Sequence, residues 1–173
     1  MARRTIIIAP DRRLKVHSTP VETIDAGVLT LLDDMLETMY AEEGVGLAAI
    51  QVGVPKRLVV ADVHGKDEPP APVKLINPEV LTVSQELIIH EEGCLSLPDQ
   101  FAEVERPAKA RIRYLDESGT LQERDFGGVL AICLQHEIDH LEGILFVDHI
   151  SAVRRSIILR RLQKAKRLEA AEA

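Results

Sequence analysis

Gln135-His136-Glu137-Ile138-Asp139-His140-Leu141-Glu142-Gly143 follows directly on an apolar run, Val129-Leu130-Ala131-Ile132-Cys133-Leu134, and these residues decide the fold. Leu130, Ile132, Cys133, Leu134, Ile138 and Leu141 leave few faces for water, so the pattern predicts a buried helix from Val129 to about Leu141 with Gly143 to stop it. On a helix, residues four apart are only about 40° out of line, so His136 and His140 project from one face about one turn apart. That is a two-point metal clamp, with Glu137 placed to touch a metal-bound water without being a ligand. The bland alternative is that two histidines and a glutamate share a helix by chance. Against it stands the cost of imidazole and carboxylate groups on an apolar helix without partners, which a metal would relieve.

A catalytic metal site needs a third protein ligand and an open position. A downstream histidine in the His-Glu-x-x-His-x-x-Gly-x-x-His pattern is excluded, because Gly143 fits but the position three further on is Phe146, and His149 is out of register. Glu169 or Glu172 would suit a small zinc endopeptidase, although both fall where the chain end is expected to fray. Cys133 shares the histidine face but stands about 10 Å along the axis from His140, too far for a short thiol, and reads as a small buried hydrophobe. Cys94 arrives from a separate extended stretch, Gly93-Cys94-Leu95-Ser96-Leu97-Pro98, in which Gly93 permits close approach and Pro98 stiffens the chain.

Working outward, Thr5-Ile6-Ile7-Ile8-Ala9 reads as an extended segment, and a first helix carries Leu29, Leu31, Leu32, Met35, Leu36 and Met39 at helical spacing, with Gly44 as its stop. Arg57–Val63 and Val73–Pro78 are β-rich. Arg111–Leu115 and Leu121–Phe126 alternate about Glu117-Ser118-Gly119 and predict an antiparallel hairpin with one wet face. A last helix is expected from about 151 to 168, apolar through Val153, Ile157, Ile158, Leu162 and Ala165, and basic through Arg154, Arg155, Arg160, Arg161, Lys164, Lys166 and Arg167. The expected class is α+β: mostly antiparallel strands packed around a central metal-binding helix, with a C-terminal helix.

The chain has 173 residues, which fits one domain spanning 1–173. No apolar run is long enough for a signal-peptide core or a membrane span, so the expectation is a cytoplasmic protein with no membrane partner. Two cysteines make no disulfide framework. A net charge of -7 argues against DNA binding, while the basic C-terminal segment stands apart from an acidic body.

Three segments, GVGLAAIQ at Gly44–Gln51, EGCLSLP at Glu92–Pro98 and QHEIDHLEG at Gln135–Gly143, resemble in order and spacing the signature motifs of the peptide deformylase family, and the resemblance extends over nearly the whole chain. It implies hydrolysis of the formyl group of N-formylmethionyl peptides and nascent chains, giving formate and a free amine. It implies Cys94, His136 and His140 as ligands of one divalent metal, commonly Fe2+, with Zn2+, Ni2+ or Co2+ able to take the same place. Glu137 is then the acid and base, and the Gln51 side chain and Leu95 N–H are donors to the carbonyl oxygen. Gly44 and Gly46 would let a peptide lie close, and Val45, Ile132 and Cys133 would wall the methionine pocket, though those three could equally be plain core. The resemblance leaves Phe101 without a role. It also suggests that the basic helix docks on ribosomal RNA, against the plainer reading of a solvated charged face. Two rivals stay open: the zinc endopeptidase, and a non-catalytic metal-binding module that associates with ribosomes.

Overall fold

A computed structural model describes residues 2–173. The first helix, α1 (Ala26–Ala41), begins where the Asp25 side chain accepts from Val28 N–H, and its Leu31, Leu32, Met35 and Met39 recur on the buried side. The strands are β1 (Gly46–Ala48), β2 (Leu58–Ala61), β3 (Val73–Val83), β4 (Leu87–Cys94), β5 (Leu97–Pro107), β6 (Ala110–Leu115) and β7 (Leu121–Phe126). Two more helices follow, α2 (Gly128–Leu141) and α3 (Ala152–Glu172).

Five strands form an antiparallel sheet in the order β1-β2-β3-β6-β7, and β4 with β5 makes a separate antiparallel pair. Strand β2, between β1 and β3, is buried on both faces. Because successive side chains point to opposite faces, Val59 and Ala61 pack with α2 while Leu58 and Val60 pack with α1, so the sheet lies between the two helices. α2 is buried nearly all round, from Ala131 to Ile138 and again at His140 and Leu141. A second cluster joins the N-terminal Ile7 and Ala9 to Ala102 and Val104 of β5, to Phe146, and to Ile158 and Leu162 of α3.

The expected α+β arrangement around α2 is therefore observed, as is the β6–β7 hairpin, whose Ala110, Ile112 and Tyr114 face the core while Arg111 and Arg113 pair with acids outside. Three details differ. Glu43, not Gly44, takes the left-handed turn out of α1, at φ 57°. Gly44 is needed for another reason, since a Cβ there would lie 2.6 Å from Leu95 Cδ1. The β4–β5 pair was not anticipated because two inward positions are held by Glu92 and Arg106, which bond to each other and break the apolar alternation. Finally, α3 does not fray near 168 but continues to Glu172. Among the described residues, no helix is long and apolar enough to cross a membrane.

Gly143 ends α2 at φ 73°, and a Cβ on it would meet the Lys15 carbonyl oxygen at 2.6 Å. Both the backbone conformation and the close approach exclude a side chain, so Gly143→Ala is expected to lower unfolding free energy by about 2 kcal/mol or more, measured by urea denaturation.

Candidate metal centre

The helical spacing of His136 and His140 brings their ring centroids to 5.1 Å. Cys94 meets them from the end of β4, where the ladder with β5 slips between Glu92 and Cys94 before the tight turn that pairs Cys94 with Leu97. Such an irregularity re-aims a side chain next to a site. Cys94 Sγ lies 3.4 Å from His140 Nε2, and one ligand atom from each of Cys94, His136 and His140 falls within 4.8 Å of the others. Cys133, Glu169 and Glu172 take no part in this group.

The outward side of His136 is fixed by charge. Its Nδ1 is 2.8 Å from Glu92 Oε1, and Glu92 in turn receives two bonds from Arg106, Nε at 2.6 Å and Nη2 at 2.9 Å. Arg106 Nη1 also reaches Asp139 Oδ2 at 2.8 Å, one helical turn beyond His136. Burial alone would push the Glu92 carboxyl up, but the bonds from His136 and Arg106 outweigh it and hold the pKa at about 2. Burial would lower the His136 pKa, but the Cys94 thiol, Glu137 and Glu92 outweigh it and raise it well above the usual imidazole range. The Glu92 contact holds a proton on Nδ1, so Nε2 is the nitrogen a metal would take in exchange for its proton. Burial pushes His140 well below the usual imidazole range, so that ring is neutral. Glu137 follows His136 on the helix, with Oε1 3.9 Å from His136 Nε2 and Oε2 buried without a partner among the described residues. Burial raises its pKa to about 7. A thiol, two imidazoles and an unpartnered buried carboxylate oxygen fit a divalent metal with a solvent or substrate position beside Glu137.

The remaining expected residues gather around this centre. Gln51 Nε2 lies 3.6 Å from Cys94 Sγ and 3.0 Å from Ser96 Oγ, while its Oε1 accepts from Ala48 N–H, so the amide is fixed against the thiol. Gly46 passes so close to α2 that a Cβ would stand 2.7 Å from both Cys133 Sγ and Glu137 Oε1. Val45, Ile132 and Cys133 line a small cavity of about 110 Å³ that also touches His136 and Glu137. Gly44, Gly46 and Leu95 line a larger cleft of about 560 Å³, open to solvent, that shares Val45, Gly93 and Glu137 with the first. The sequence reading gave Glu92, Arg106 and Asp139 no role. Glu92 stands two residues before Cys94 and Asp139 inside the histidine motif, so proximity was the available signal; Arg106 offered none.

Removing Arg106 would strand Glu92 as a buried carboxylate without its cation. Arg106→Ala is expected to destabilise the fold by about 3–5 kcal/mol in equilibrium denaturation.

The comparisons with known proteins point one way. A family model described as polypeptide deformylase matches residues 3–156. A peptide deformylase of Rhizobium meliloti is 53% identical, covering 100% of this chain and 99% of that protein, and one of Agrobacterium fabrum is 52% identical over 96% and 98%. The crystal structure of peptide deformylase from Ehrlichia chaffeensis superposes with a TM-score of 0.93 at 39% identity, covering 98% of this chain and 99% of that one. A second Ehrlichia chaffeensis structure, in complex with actinonin, gives 0.92 at 41% identity over 96% and 99%. A match of that length and identity, on a fold that superposes almost end to end, leaves one conclusion: the chain belongs to the polypeptide deformylase family.

Proposed function

We propose that Cys94, His136 and His140 hold one divalent metal ion, Fe2+ in the native enzyme, and that Glu137 handles the protons of the reaction beside it. The enzyme is a peptide deformylase, a metal-dependent hydrolase that removes the N-formyl group from the formylmethionine of newly made proteins and releases formate. The zinc endopeptidase reading is not favoured, since its candidate carboxylates, Glu169 and Glu172, stand outside the ligand group. The observation that carries the ligand assignment is the approach of one thiol and two imidazoles to within 4.8 Å, beside a buried carboxylate oxygen that lacks a partner. Zn2+, Ni2+ and Co2+ suit the same donors.

When bound, such an ion polarises a carbonyl and makes hydroxide available near neutral pH. Glu137 takes the proton from the attacking water and returns it to the amine nitrogen, which must be protonated to leave. Charge that builds on the formyl oxygen is met by the Gln51 amide and the Leu95 N–H, each worth about 3 kcal/mol. Gln51 suits this task because its amide is pinned by Ala48 and Ser96 and needs no reorganisation. Edge strands β1 and β4 each have one unpaired side, and both border the cleft through Gly46 and Gly93, so an extended peptide can lie between them. Gly44 and Gly46 keep that path open, and Val45, Ile132 and Cys133 offer the methionine side chain apolar surface.

The whole chain, 1–173, acts as one catalytic domain in the cytoplasm, where formylated nascent chains emerge. Helix α3 buries only Ile158 and Leu162 and leaves Arg154, Arg160, Arg161, Lys164, Lys166 and Arg167 exposed, which supports docking on ribosomal RNA through phosphate contacts.

Glu137→Gln is expected to retain metal and lose about 10²–10⁴-fold in kcat for formate release. Anaerobically purified Cys94→Ala should lose both metal, by elemental analysis, and formate release; full metal content in that variant contradicts the ligand assignment. Reversing Arg160, Arg161 and Lys164 to Glu leaves the buried face of α3 intact and should weaken ribosome co-sedimentation at low salt. Unchanged sedimentation would remove ribosome docking from the proposal.

A further inference from the structure

A second buried carboxylate lies outside the metal centre and has no part in the chemistry above. Asp62 directly follows β2, and its side chain is wholly buried. Among the described residues it pairs with no lysine or arginine. Its oxygens accept instead from the Tyr40 hydroxyl, from His64 Nδ1 at 2.8 Å and from the Ala71 N–H at 3.2 Å. Burial alone would push the Asp62 carboxyl up, but those bonds outweigh it and hold its pKa below the usual carboxylate range. Burial and the same carboxylate push Tyr40 up to about 12, so the phenol keeps its proton and remains a donor.

The backbone of Asp62 makes a second grip. Its N–H donates to the Val45 carbonyl at 2.9 Å, while its side chain holds Tyr40, the penultimate residue of α1. The chain between Tyr40 and Val45 is therefore a closed loop, fastened at both ends by one residue. Inside it, Glu43 takes the left-handed turn at φ 57°, a conformation that a residue with a side chain keeps only where its surroundings enforce it. The Gly44 N–H returns to the Met39 carbonyl at 2.9 Å, and the Val45 carbonyl also receives the Cys133 thiol at 3.5 Å. The loop delivers Val45 and Gly46 to the wall of the site, where Val45 borders both cavities and Gly46 lies against Glu137. For stability alone, an apolar tie between α1 and β2 would cost less than a buried carboxylate, whose oxygens must all be satisfied.

We infer that Tyr40 and Asp62 are positioning residues for the deformylase reaction, fixing Val45 and Gly46 as the wall that receives the backbone of the formylated peptide. The inference rests on the peptide path proposed above. Among the described residues, none of the Asp62 side-chain bonds reaches α2 or β4, which carry Glu137 and the metal ligands. The tie therefore acts on peptide binding and not on the step at the formyl carbon.

The test compares Tyr40→Phe, which keeps the ring and removes only the hydroxyl, with the wild-type metal-loaded enzyme on formyl-Met-Ala-Ser amide. KM should rise about tenfold while kcat changes by less than about twofold, the pattern of lost binding shared by ground and transition states. Metal content should be unchanged. In hydrogen exchange, the Asp62 amide, whose proton lies on the Val45 carbonyl, should exchange faster in the variant. Asp62→Asn should also raise KM, and the double variant should add less than the two single effects combined, because both open the same tie. Lower thermal stability in Tyr40→Phe with KM at the wild-type value overturns the inference, as does a loss confined to kcat. An Asp62 amide that exchanges no faster overturns the tie without reference to substrate, whereas a wild-type enzyme that releases no formate from this peptide sinks the deformylase reading itself.

Discussion

The contact on which the site depends is the buried carboxylate of Glu92, held between Arg106 and the His136 ring. It binds the β4–β5 hairpin to α2, and that junction sets the thiol of Cys94 against the face carrying His136 and His140. A charge this deep is costly unless it is paired, so the hairpin has one favourable seat on the helix. Arg106 spans the joint by reaching Asp139 on the same helix, and Asp139 also contacts His149. The pairing that orients the imidazole is thus the one that positions the hairpin delivering the cysteine.

The same economy is visible in the backbone around the centre. Gly46 lets β1 run against α2 where any side chain would collide with Cys133 and Glu137, and Gly93 makes room for the Phe101 ring. Gln51 is held at both ends of its amide. Rigid surroundings of this kind keep donors in place before charge develops, which is how fixed dipoles contribute to catalysis.

Much of this was legible in the sequence, for reasons that differ by element. α2 was readable because its apolar residues and both histidines lie within fourteen positions, and helical periodicity converts that spacing directly into a shared face. The β6–β7 hairpin was readable because its alternation and turn are local. The β4–β5 pair was not, because Glu92 and Arg106 occupy inward positions where a pattern reading expects apolar side chains. The division into two sheets was also hidden: β3 pairs with β6, so the β4–β5 hairpin leaves the sheet between them, a long-range outcome without a local sign. At the site, the family motifs implied Cys94, His136 and His140 as a ligand set, but the places of Glu92 and Arg106 rest on a contact between residues 14 apart in sequence and emerged only with the fold.

In the proposed centre, a sulfur from the β4–β5 turn and two nitrogens from α2 share one metal ion. X-ray absorption at the zinc edge of the zinc-loaded enzyme tests it most directly. One sulfur scatterer at about 2.3 Å and two imidazole nitrogens at about 2.0–2.1 Å are expected. A first shell of nitrogen and oxygen alone, with no sulfur, would contradict it.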